Sequence, residues 1–295
     1  MNDSIPLRRV LGAAAVAGTL PYLTLKTLWL TGHPVGVTVP GLLDGPAMTA
    51  LNTATLLLDL CVVALAAALG ARRRLPAVPL LLAGWAATGL LLPVALLSPA
   101  ALLRAGTDGA GLAAWVRPLV YGGLGWQAVF LLAAFALLAR DRWGTRVTVP
   151  VPPPGAVEGL ARTTAAGGVV VGLLAVVAGV AAAADRPSFP GVVGAAVDAT
   201  AALTGALGVL ALRRGRAGWS PVLTTFTGSA VLFTGGLWTL VSATAGPLAT
   251  DRPLYVLAQL CGLLAGFAVA VAGMLVVSGR MCGPVTVSPR PAPVP

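Results

Sequence analysis

Apolar residues occupy the chain in eight long runs, and short polar or basic stretches separate one run from the next. A helix needs about 20 apolar residues to cross roughly 30 Å of hydrocarbon at 1.5 Å per residue. Eight runs meet this length, so the pattern predicts an all-α integral membrane protein with eight transmembrane helices. The predicted helices cover residues 10–31, 47–70, 77–97, 118–139, 163–184, 191–212, 219–241 and 253–278.

Charged residues interrupt three of the eight runs and make those helices the weakest predictions. They are Lys26 in the first run, Asp59 in the second and Asp198 in the sixth. The whole chain is apolar, since 57% of its residues are hydrophobic and only 9% are charged. In an ordinary soluble domain roughly a quarter of the residues are charged. A protein of this length with so few polar groups needs lipid to cover its surface, which excludes a water-soluble globule.

Arginine residues are concentrated in alternate connections between the predicted helices. Fourteen fall on one side of the membrane and four on the other. The majority are Arg8, Arg9, Arg72, Arg73, Arg74, Arg140, Arg142, Arg146, Arg162, Arg213, Arg214, Arg216, Arg280 and Arg290. Because cytoplasmic loops carry the excess of basic residues, both termini are predicted to be cytoplasmic, in a multi-pass protein of the cell (plasma) membrane. Such clusters face anionic lipid and do not predict nucleic-acid binding, which gathers basic residues on one wet face.

A proline-rich connection divides the chain into two halves of four helices each. The first half covers residues 1–145, the connection 146–162 and the second half 163–280. Prolines lack amide donors and favour extended, solvated backbone, so no helix is predicted in most of the connection. Residues 281–295 are also rich in proline and are predicted to form a disordered cytoplasmic tail.

The two halves share several sequence features in the same order. Each has a basic turn after its second helix, an uncharged third helix, and an Arg-Pro-Leu sequence before its fourth. A tyrosine and then a glutamine follow in both halves, at Tyr121 and Gln127 and at Tyr255 and Gln259. Four helices per half would insert both copies in the same sense, as a parallel repeat about an axis along the membrane normal. The alternative is that any two hairpin pairs with basic cytoplasmic loops look alike.

One face of the first helix is polar, which is costly in lipid. Spacings of three and four residues place five side chains one above another, namely Thr19, Tyr22, Lys26, Trp29 and His33. An isolated ammonium group in hydrocarbon costs from about 2.5 to more than 10 kcal/mol. Lys26 is therefore expected to be paired, hydrated, or extended to the outer headgroups beside Trp29 as an interfacial anchor.

The second helix carries a matching polar face formed by Thr49, Asn52, Thr55 and Asp59. Asp59 lies near the middle of its run, too far from either interface for its short side chain to reach water. Three hypotheses are open for its carboxyl group. It pairs with Lys26, it is protonated through desolvation, or it lines a hydrated cavity as a proton or cation site.

We predict an intramembrane ion pair between Lys26 and Asp59, with Tyr22 and Asn52 as nearby hydrogen-bonding partners. Two neighbouring antiparallel helices would let the lysine stem reach toward the carboxylate. Asp198 is the third ionisable candidate, but it lies only about seven residues into its helix and can instead face outer water. These five residues form the predicted intramembrane polar site.

No catalytic or metal-binding pattern accompanies this polar site. His33 is the only histidine, so the sequence has neither a histidine cluster nor a histidine-containing triad. A phosphate-binding loop is missing as well, and the connections are too short for an ATPase or kinase domain. No cofactor or metal is predicted, and an enzymatic function is not favoured, although the sequence leaves it open. Cys61, Cys261 and Cys282 are not expected to form a disulfide.

The segment from Tyr22 to Gly32 resembles a segment of uncharacterised actinobacterial multi-pass membrane proteins, whose first helix similarly ends in Lys, Trp and Gly. The preference for arginine over lysine, together with abundant Ala, Gly, Val and Pro, is also typical of GC-rich actinobacterial genomes. The resemblance covers about one helix and implies no known activity, so no residue role is transferred from it.

The paired polar faces favour a small-solute or ion permease, or an accessory subunit of one, with a pathway between the first, second and sixth helices. The alternative is a non-catalytic membrane scaffold or sensor-like partner protein, in which polar groups only fix helix register and a cytoplasmic segment recruits another protein. A third hypothesis, an intramembrane lipid-modifying enzyme, has neither a metal cluster nor a nucleophile–base pair in its favour. The lipid bilayer is the predicted partner, and a small molecule or ion is the substrate expected of a permease.

Overall fold

Of the 295 residues, a computed structural model describes those numbered 4–71, 76–103, 111–147, 155–185, 189–243 and 252–282. These residues form eight α-helices, and the β-structure among them is one isolated bridge. In chain order the helices are α1 (Ile5–Leu30), α2 (Pro46–Leu69), α3 (Ala77–Leu103), α4 (Val116–Val147), α5 (Gly155–Asp185), α6 (Phe189–Arg213), α7 (Trp219–Ala243) and α8 (Pro253–Cys282). The predicted all-helical fold class is confirmed, and each apolar run corresponds to one helix. Helix α8 extends into the predicted tail, whose remaining residues, 283–295, lie outside the described part.

The connection between the halves is shorter than predicted, because both flanking helices continue into it. Helix α5 begins at Gly155, well inside the predicted 146–162 connection, and α4 also extends past its predicted end. The first turn of α5 carries Glu158, where a carboxylate is favourable at a helix N-terminus. Its Oε1 lies 3.5 Å from Nη2 of Arg162, one turn later. These two charged side chains stabilise the first turns of α5, which the apolar run does not cover. Residues 148–154 lie outside the described residues.

Six of the eight helices are long and apolar enough to cross a membrane by their length and composition. The other two are α1 and α7. Lys26 makes α1 less apolar, as predicted. Helices α2 and α6 are apolar enough to cross a membrane despite Asp59 and Asp198. The hydropathy of α7 is lowered instead by its many Thr, Ser and Gly residues, which a prediction based on charged residues alone does not detect. Large apolar side chains such as Leu57 and Phe267 are exposed on the outer surface, which indicates a membrane protein.

The first four helices pack into one unit, in which α1 contacts both α2 and α4, and α3 contacts α4. Glycines bring the helices close together in this unit, as is common for helices in lipid. Gly12 of α1 faces the backbone of Ala66 on α2. Gly18 of α1 and Gly123 of α4 face each other, and a Cβ atom at either would lie within 2.8 Å of the other's carbonyl oxygen.

The last four helices form a second unit with a similar order of contacts. Helix α5 contacts α6 and α8, and α7 contacts α8. Gly168 and Gly172 of α5 face α8, while Gly266 of α8 faces the backbone of Ser229 on α7. One contact differs between the units, because α6 packs closely on α7 whereas α2 makes only a slight contact with α3.

The two units meet mainly through α3 and α7, the third helix of each half. Trp85 of α3 donates its indole N–H to Oγ of Ser229 on α7 at 3.0 Å. One turn further along α3, Gly89 faces Ala230 and Thr234, one to five residues further along α7. The contact therefore advances in the same direction on both helices, and α3 and α7 are parallel.

Several helix ends next to arginine-rich segments lie together on one side of the molecule. Arg9 of α1 donates from Nε to the carbonyl oxygen of Gly70, at the C-terminal end of α2, at 3.0 Å. Nε of Arg8 lies 3.8 Å from Oδ2 of Asp141, near the C-terminal end of α4. The backbone N–H of Gly218, just before α7, donates to the last carbonyl of α4 at 3.2 Å. The start of α1, the ends of α2 and α4, and the start of α7 are thus neighbours.

On the opposite side, residues 31–45 between α1 and α2 fold against the start of α4. Val37 forms an antiparallel bridge with Leu112, and the N–H of Ala113 donates to the carbonyl oxygen of Gly36 at 2.8 Å. Gly36 has a φ of 75°, and a Cβ atom there would also meet the first residue of α4. This loop therefore ties the C-terminal end of α1 to the N-terminal end of α4.

Candidate functional site

The predicted polar face of α1 turns toward the neighbouring helices over most of its length. Thr19 and Lys26 are buried, and Oγ1 of Thr19 donates to the carbonyl oxygen of Val16 at 2.7 Å. Helix α1 ends at Leu30, so His33 lies beyond it in an exposed loop and does not continue the face. The prediction of one continuous face is therefore wrong at its outer end, because a pattern of spacings does not show where the helix stops.

Lys26 is buried at the contact between α1 and α2, where it is 5% exposed. Its Nζ donates to Oδ1 of Asn52 on α2 at 2.5 Å. The ammonium group also lies 4.9 Å from the centroid of the Tyr22 ring and 5.1 Å from that of Trp29, within the range of a cation–π contact. The amide of Asn52 and two aromatic rings thus surround the ammonium group, which is buried against α2.

Asp59 lies on the same face of α2 as Asn52, and the predicted ion pair with Lys26 is not formed. Asp59 follows Asn52 by seven positions, which is about 10 Å along the helix. The amide of Asn52 is therefore at the level of the Lys26 ammonium group, and the carboxyl group of Asp59 is not. Asp59 is also 5% exposed, and its Oδ2 has no hydrogen-bond partner among the described residues. The two charges remain close enough to interact electrostatically.

A hydroxyl pair fills the level between the amide and the carboxylate. The side chains of Tyr22 on α1 and Thr55 on α2 lie near each other at this level. Oγ1 of Thr55 donates to the carbonyl oxygen of Leu51, in its own helix, at 2.9 Å. Asn52, Thr55 and Asp59 therefore face the polar residues of α1 in three successive levels, and Oδ2 of the carboxyl group at the end of this series is buried without a hydrogen-bond partner among the described residues.

Asp198 belongs to a separate polar contact in the second half. Its Oδ2 accepts a hydrogen bond from Nε2 of Gln259 on α8 at 2.6 Å. Helix α6 packs against α5, α7 and α8, so Asp198 does not join the site of Lys26 and Asp59. The predicted pathway between the first, second and sixth helices is wrong for this reason. The pattern of apolar runs does not show which helices of the two halves pack together, because that depends on contacts between side chains.

The two halves carry the same residue types on equivalent helices but connect them differently. The first half has Asp59 on α2 and Gln127 on α4, and the second has Asp198 on α6 and Gln259 on α8. Gln127 is buried, and its Oε1, like Oδ2 of Asp59, has no hydrogen-bond partner in the described part of the chain. Two unpartnered oxygens in the first half thus contrast with a direct amide–carboxylate hydrogen bond in the second.

Two apolar cavities lie side by side between α4 and α7, with volumes of about 110 and 320 Å³. Both are bounded by Phe135 and Phe226, whose rings stack at 5.9 Å between centroids. Neither cavity is lined by Lys26, Asp59 or Asp198, so the polar site opens onto neither of them. Apolar side chains that line a cleft and those that fill a core follow the same pattern along the chain, so these cavities cannot be predicted from the sequence.

The polar site can exchange protons and hydrogen bonds through its ammonium, carboxyl, amide and hydroxyl groups. Among the residues that the structure describes, no group of three or more His, Cys, Asp or Glu side chains is arranged to hold a metal ion. Comparison with protein-family models, curated proteins and solved structures finds no match for this chain. The geometry of the site itself is therefore the basis for a functional assignment.

The Asp198–Gln259 contact leads to a prediction about stability. Gln259→Leu is expected to lower the free energy of unfolding by about 1–2 kcal/mol, because it leaves a buried carboxyl group without its donor. Unfolding by SDS in mixed micelles, followed by tryptophan fluorescence, measures the change. The double variant Asp198→Leu/Gln259→Leu removes both polar groups and should recover most of the loss. An equal loss in both variants would show that the hydrogen bond is not its cause.

Proposed function

We propose that all eight helices cross the membrane and that both termini are cytoplasmic. Helices α1 and α7 have 26 and 25 residues, and about 38 Å of helix suffices for roughly 30 Å of hydrocarbon. Each packs against helices that are apolar enough to span, α1 against α2 and α4, and α7 against α6 and α8. The arginine-bearing helix ends that lie together support assigning that side to the cytoplasm of a cell membrane.

The same arrangement supports two parallel four-helix repeats. Corresponding helices make corresponding contacts in the two units, apart from the weak contact between α2 and α3. The third helix of one half packs in parallel against the third helix of the other. Rotation of one half onto the other about an axis along the membrane normal would produce this contact.

We propose that the protein is a small-solute or ion permease, or an accessory subunit of one, in which Asp59 binds a proton or a small cation. The unpartnered Oδ2 of this buried carboxyl group carries the proposal. Its nearest candidate counter-charge, Lys26, already donates to Asn52. An ionised carboxylate without a direct partner is costly in a membrane, and binding a proton or cation relieves that cost without breaking a salt bridge.

Lys26 acts in this mechanism as a movable counter-charge. When Asp59 holds a proton, the ammonium group is released to Asn52 and to the rings of Tyr22 and Trp29, as in the observed contact. When the proton leaves, the ionised carboxylate attracts the ammonium along the polar face of α2. The flexible four-carbon stem of lysine permits such a movement.

Asp59→Asn tests the proposal, because an amide neither takes up a proton nor neutralises a cation. In proteoliposomes with an imposed pH gradient and a clamped membrane potential, the variant is expected to carry at least tenfold less proton flux than the wild type, measured with an entrapped pH dye. A sodium gradient tests the cation in the same way. Asp44→Asn, in an exposed outer loop, is the matched control and should keep wild-type flux. Equal flux in wild type and Asp59→Asn, or wild-type flux no greater than that of empty vesicles, would contradict the proposal.

A non-catalytic scaffold is the second candidate, and the closed polar site favours it. Lys26 has three partners, and neither apolar cavity reaches it. In a scaffold the polar groups only fix the register of α1 against α2. Asp59→Asn would then lower thermal stability and change no flux. In a permease the same substitution removes a costly charge, so thermal stability is expected to be unchanged or higher while flux is lost.

A further inference from the structure

A lateral cleft opens between α4 and α7, over the helix α3 that joins the two halves. Its volume is about 320 Å³, whereas a single water needs roughly 10–15 Å³ on a comparable scale. Three helices line it, and most of the lining residues are apolar or aromatic. The larger ones are Leu92, Leu132, Phe135, Trp219, Leu223 and Phe226. A cleft with such walls stays dry, and in a bilayer the neighbouring material that can fill it is hydrocarbon.

The cleft is elongated along the two helices that flank it. Leu132 and Arg140 of α4 are eight residues apart, about 12 Å, and so are Trp219 and Thr227 of α7. Helices α4 and α7 are antiparallel neighbours, because Gly218, just before α7, contacts the last residue of α4. Arg140 and Trp219 therefore lie toward the same end of the cleft, and the rest of its length suits a single extended hydrocarbon chain.

That end of the cleft lies at the depth of lipid headgroups. Arg140 follows Val116, the first residue of α4, by 24 residues, or about 36 Å of helix, which exceeds roughly 30 Å of hydrocarbon. Trp219 is the first residue of α7 and belongs to a residue type that concentrates at membrane–water interfaces. The cleft therefore begins where lipid phosphate groups lie and leads toward the centre of the membrane.

Arg140 is the charged residue in the wall of the cleft, and it makes no ion pair within the described ranges of the chain. The two residues that follow it in the chain, both charged, are already engaged. Asp141 lies 3.8 Å from Nε of Arg8, and the guanidinium of Arg142 lies 5.3 Å from the ring of Trp143. The guanidinium of Arg140 is thus left with a planar set of donors suited to phosphate oxygens.

We propose that the cleft binds an acyl chain of an anionic phospholipid whose headgroup phosphate contacts Arg140. The acyl chain covers the aromatic wall, and the negative charge of the headgroup compensates the arginine. A zwitterionic lipid compensates it only in part, because its own amine offsets its phosphate. Because such a lipid would touch helices of both halves, it stabilises their contact. Lipid binding in the α4–α7 cleft does not require Asp59 to take part in transport.

Quenching of tryptophan fluorescence by brominated lipids tests the proposal, because Trp219 lines the cleft. The full chain is reconstituted in phosphatidylcholine vesicles to which one of two lipids with brominated acyl chains is added. One is brominated phosphatidylglycerol, and the other is brominated phosphatidylcholine. We expect the brominated phosphatidylglycerol to quench more strongly, with a relative binding constant roughly fivefold higher. Arg140→Gln should reduce this preference to about one, and Trp219→Phe should remove the phosphatidylglycerol-specific part of the quenching.

Two further variants separate binding in the cleft from general attraction to the membrane surface. Arg214→Gln removes an exposed arginine at the end of α6 and should leave the preference unchanged. Ala136→Phe narrows the cleft and should reduce quenching by both lipids while the protein remains monodisperse. Equal quenching by the two lipids in the wild type, or an undiminished preference in Arg140→Gln, would overturn the proposal. Cross-linking of a second copy across the cleft, with no lipid quenching of Trp219, would overturn it as well.

Discussion

Gly89→Val is expected to separate the two halves of the chain and to lower the free energy of unfolding by about 3 kcal/mol or more. A Cβ atom at Gly89 would overlap the backbone oxygen of Ala230 and the hydroxyl of Thr234 on α7. Backbone cannot give way as the end of a flexible side chain can, so α3 and α7 must move apart. The shift would also lengthen the hydrogen bond from Trp85 to Ser229.

SDS-induced unfolding, followed by tryptophan fluorescence, measures this effect. Gly167→Val is the matched control, because Gly167 is exposed on α5 and a Cβ atom there meets nothing within 4 Å. It makes the same chemical change in a helix without forcing two helices apart. If Gly89→Val were as stable as Gly167→Val, the close contact between α3 and α7 would not hold the halves together.

The second large effect is expected for Lys26→Met, which should lower the free energy of unfolding by about 2–3 kcal/mol. The substitution leaves Oδ1 of Asn52 without its donor and removes the cation nearest to Asp59. The volume of the side chain is nearly kept, so the loss reports the polar contacts. Adding Asn52→Leu in the same chain removes the orphaned amide and should restore part of the stability.

Thr27→Met is the control for this experiment. Thr27 is exposed on α1 one residue later, and its hydroxyl donates to the carbonyl oxygen of Leu23 in its own helix at 2.9 Å. A methionine there changes no contact between helices, so it should have little effect on unfolding in SDS. Equal stability of the Lys26 and Thr27 variants would mean that the ammonium group is an interfacial anchor and not part of a buried contact.

The helices could be predicted from the sequence because an apolar run of sufficient length has few other ways to satisfy its backbone in lipid. Their ends were less predictable. Helix α5 begins at Gly155 because local charges such as Glu158 and Arg162 support its first turns, and hydropathy does not record them. The spacing of polar residues likewise extends the predicted face of the first helix to His33, because spacing does not show that α1 ends at Leu30.

The candidate site was predictable in its members and not in its contacts. Spacing placed Lys26 and Asn52 on facing sides of α1 and α2. The choice of Asn52 over Asp59 as the partner depends on the axial offset between the helices, which is set by close contacts such as that of Gly12 with Ala66. A single sequence holds no direct record of that offset.

The parallel contact between α3 and α7 gives this chain the geometry of a two-subunit protein whose subunits share one polypeptide. Each half has its own set of packed contacts. In the proposed topology each half also contains an even number of membrane-crossing helices, so neither half would need the other to set its direction of insertion. The covalent link between α4 and α5 then acts chiefly by raising the effective concentration of one half around the other. A duplicated and fused gene for a four-helix homodimer, packed through its third helix, would produce this architecture.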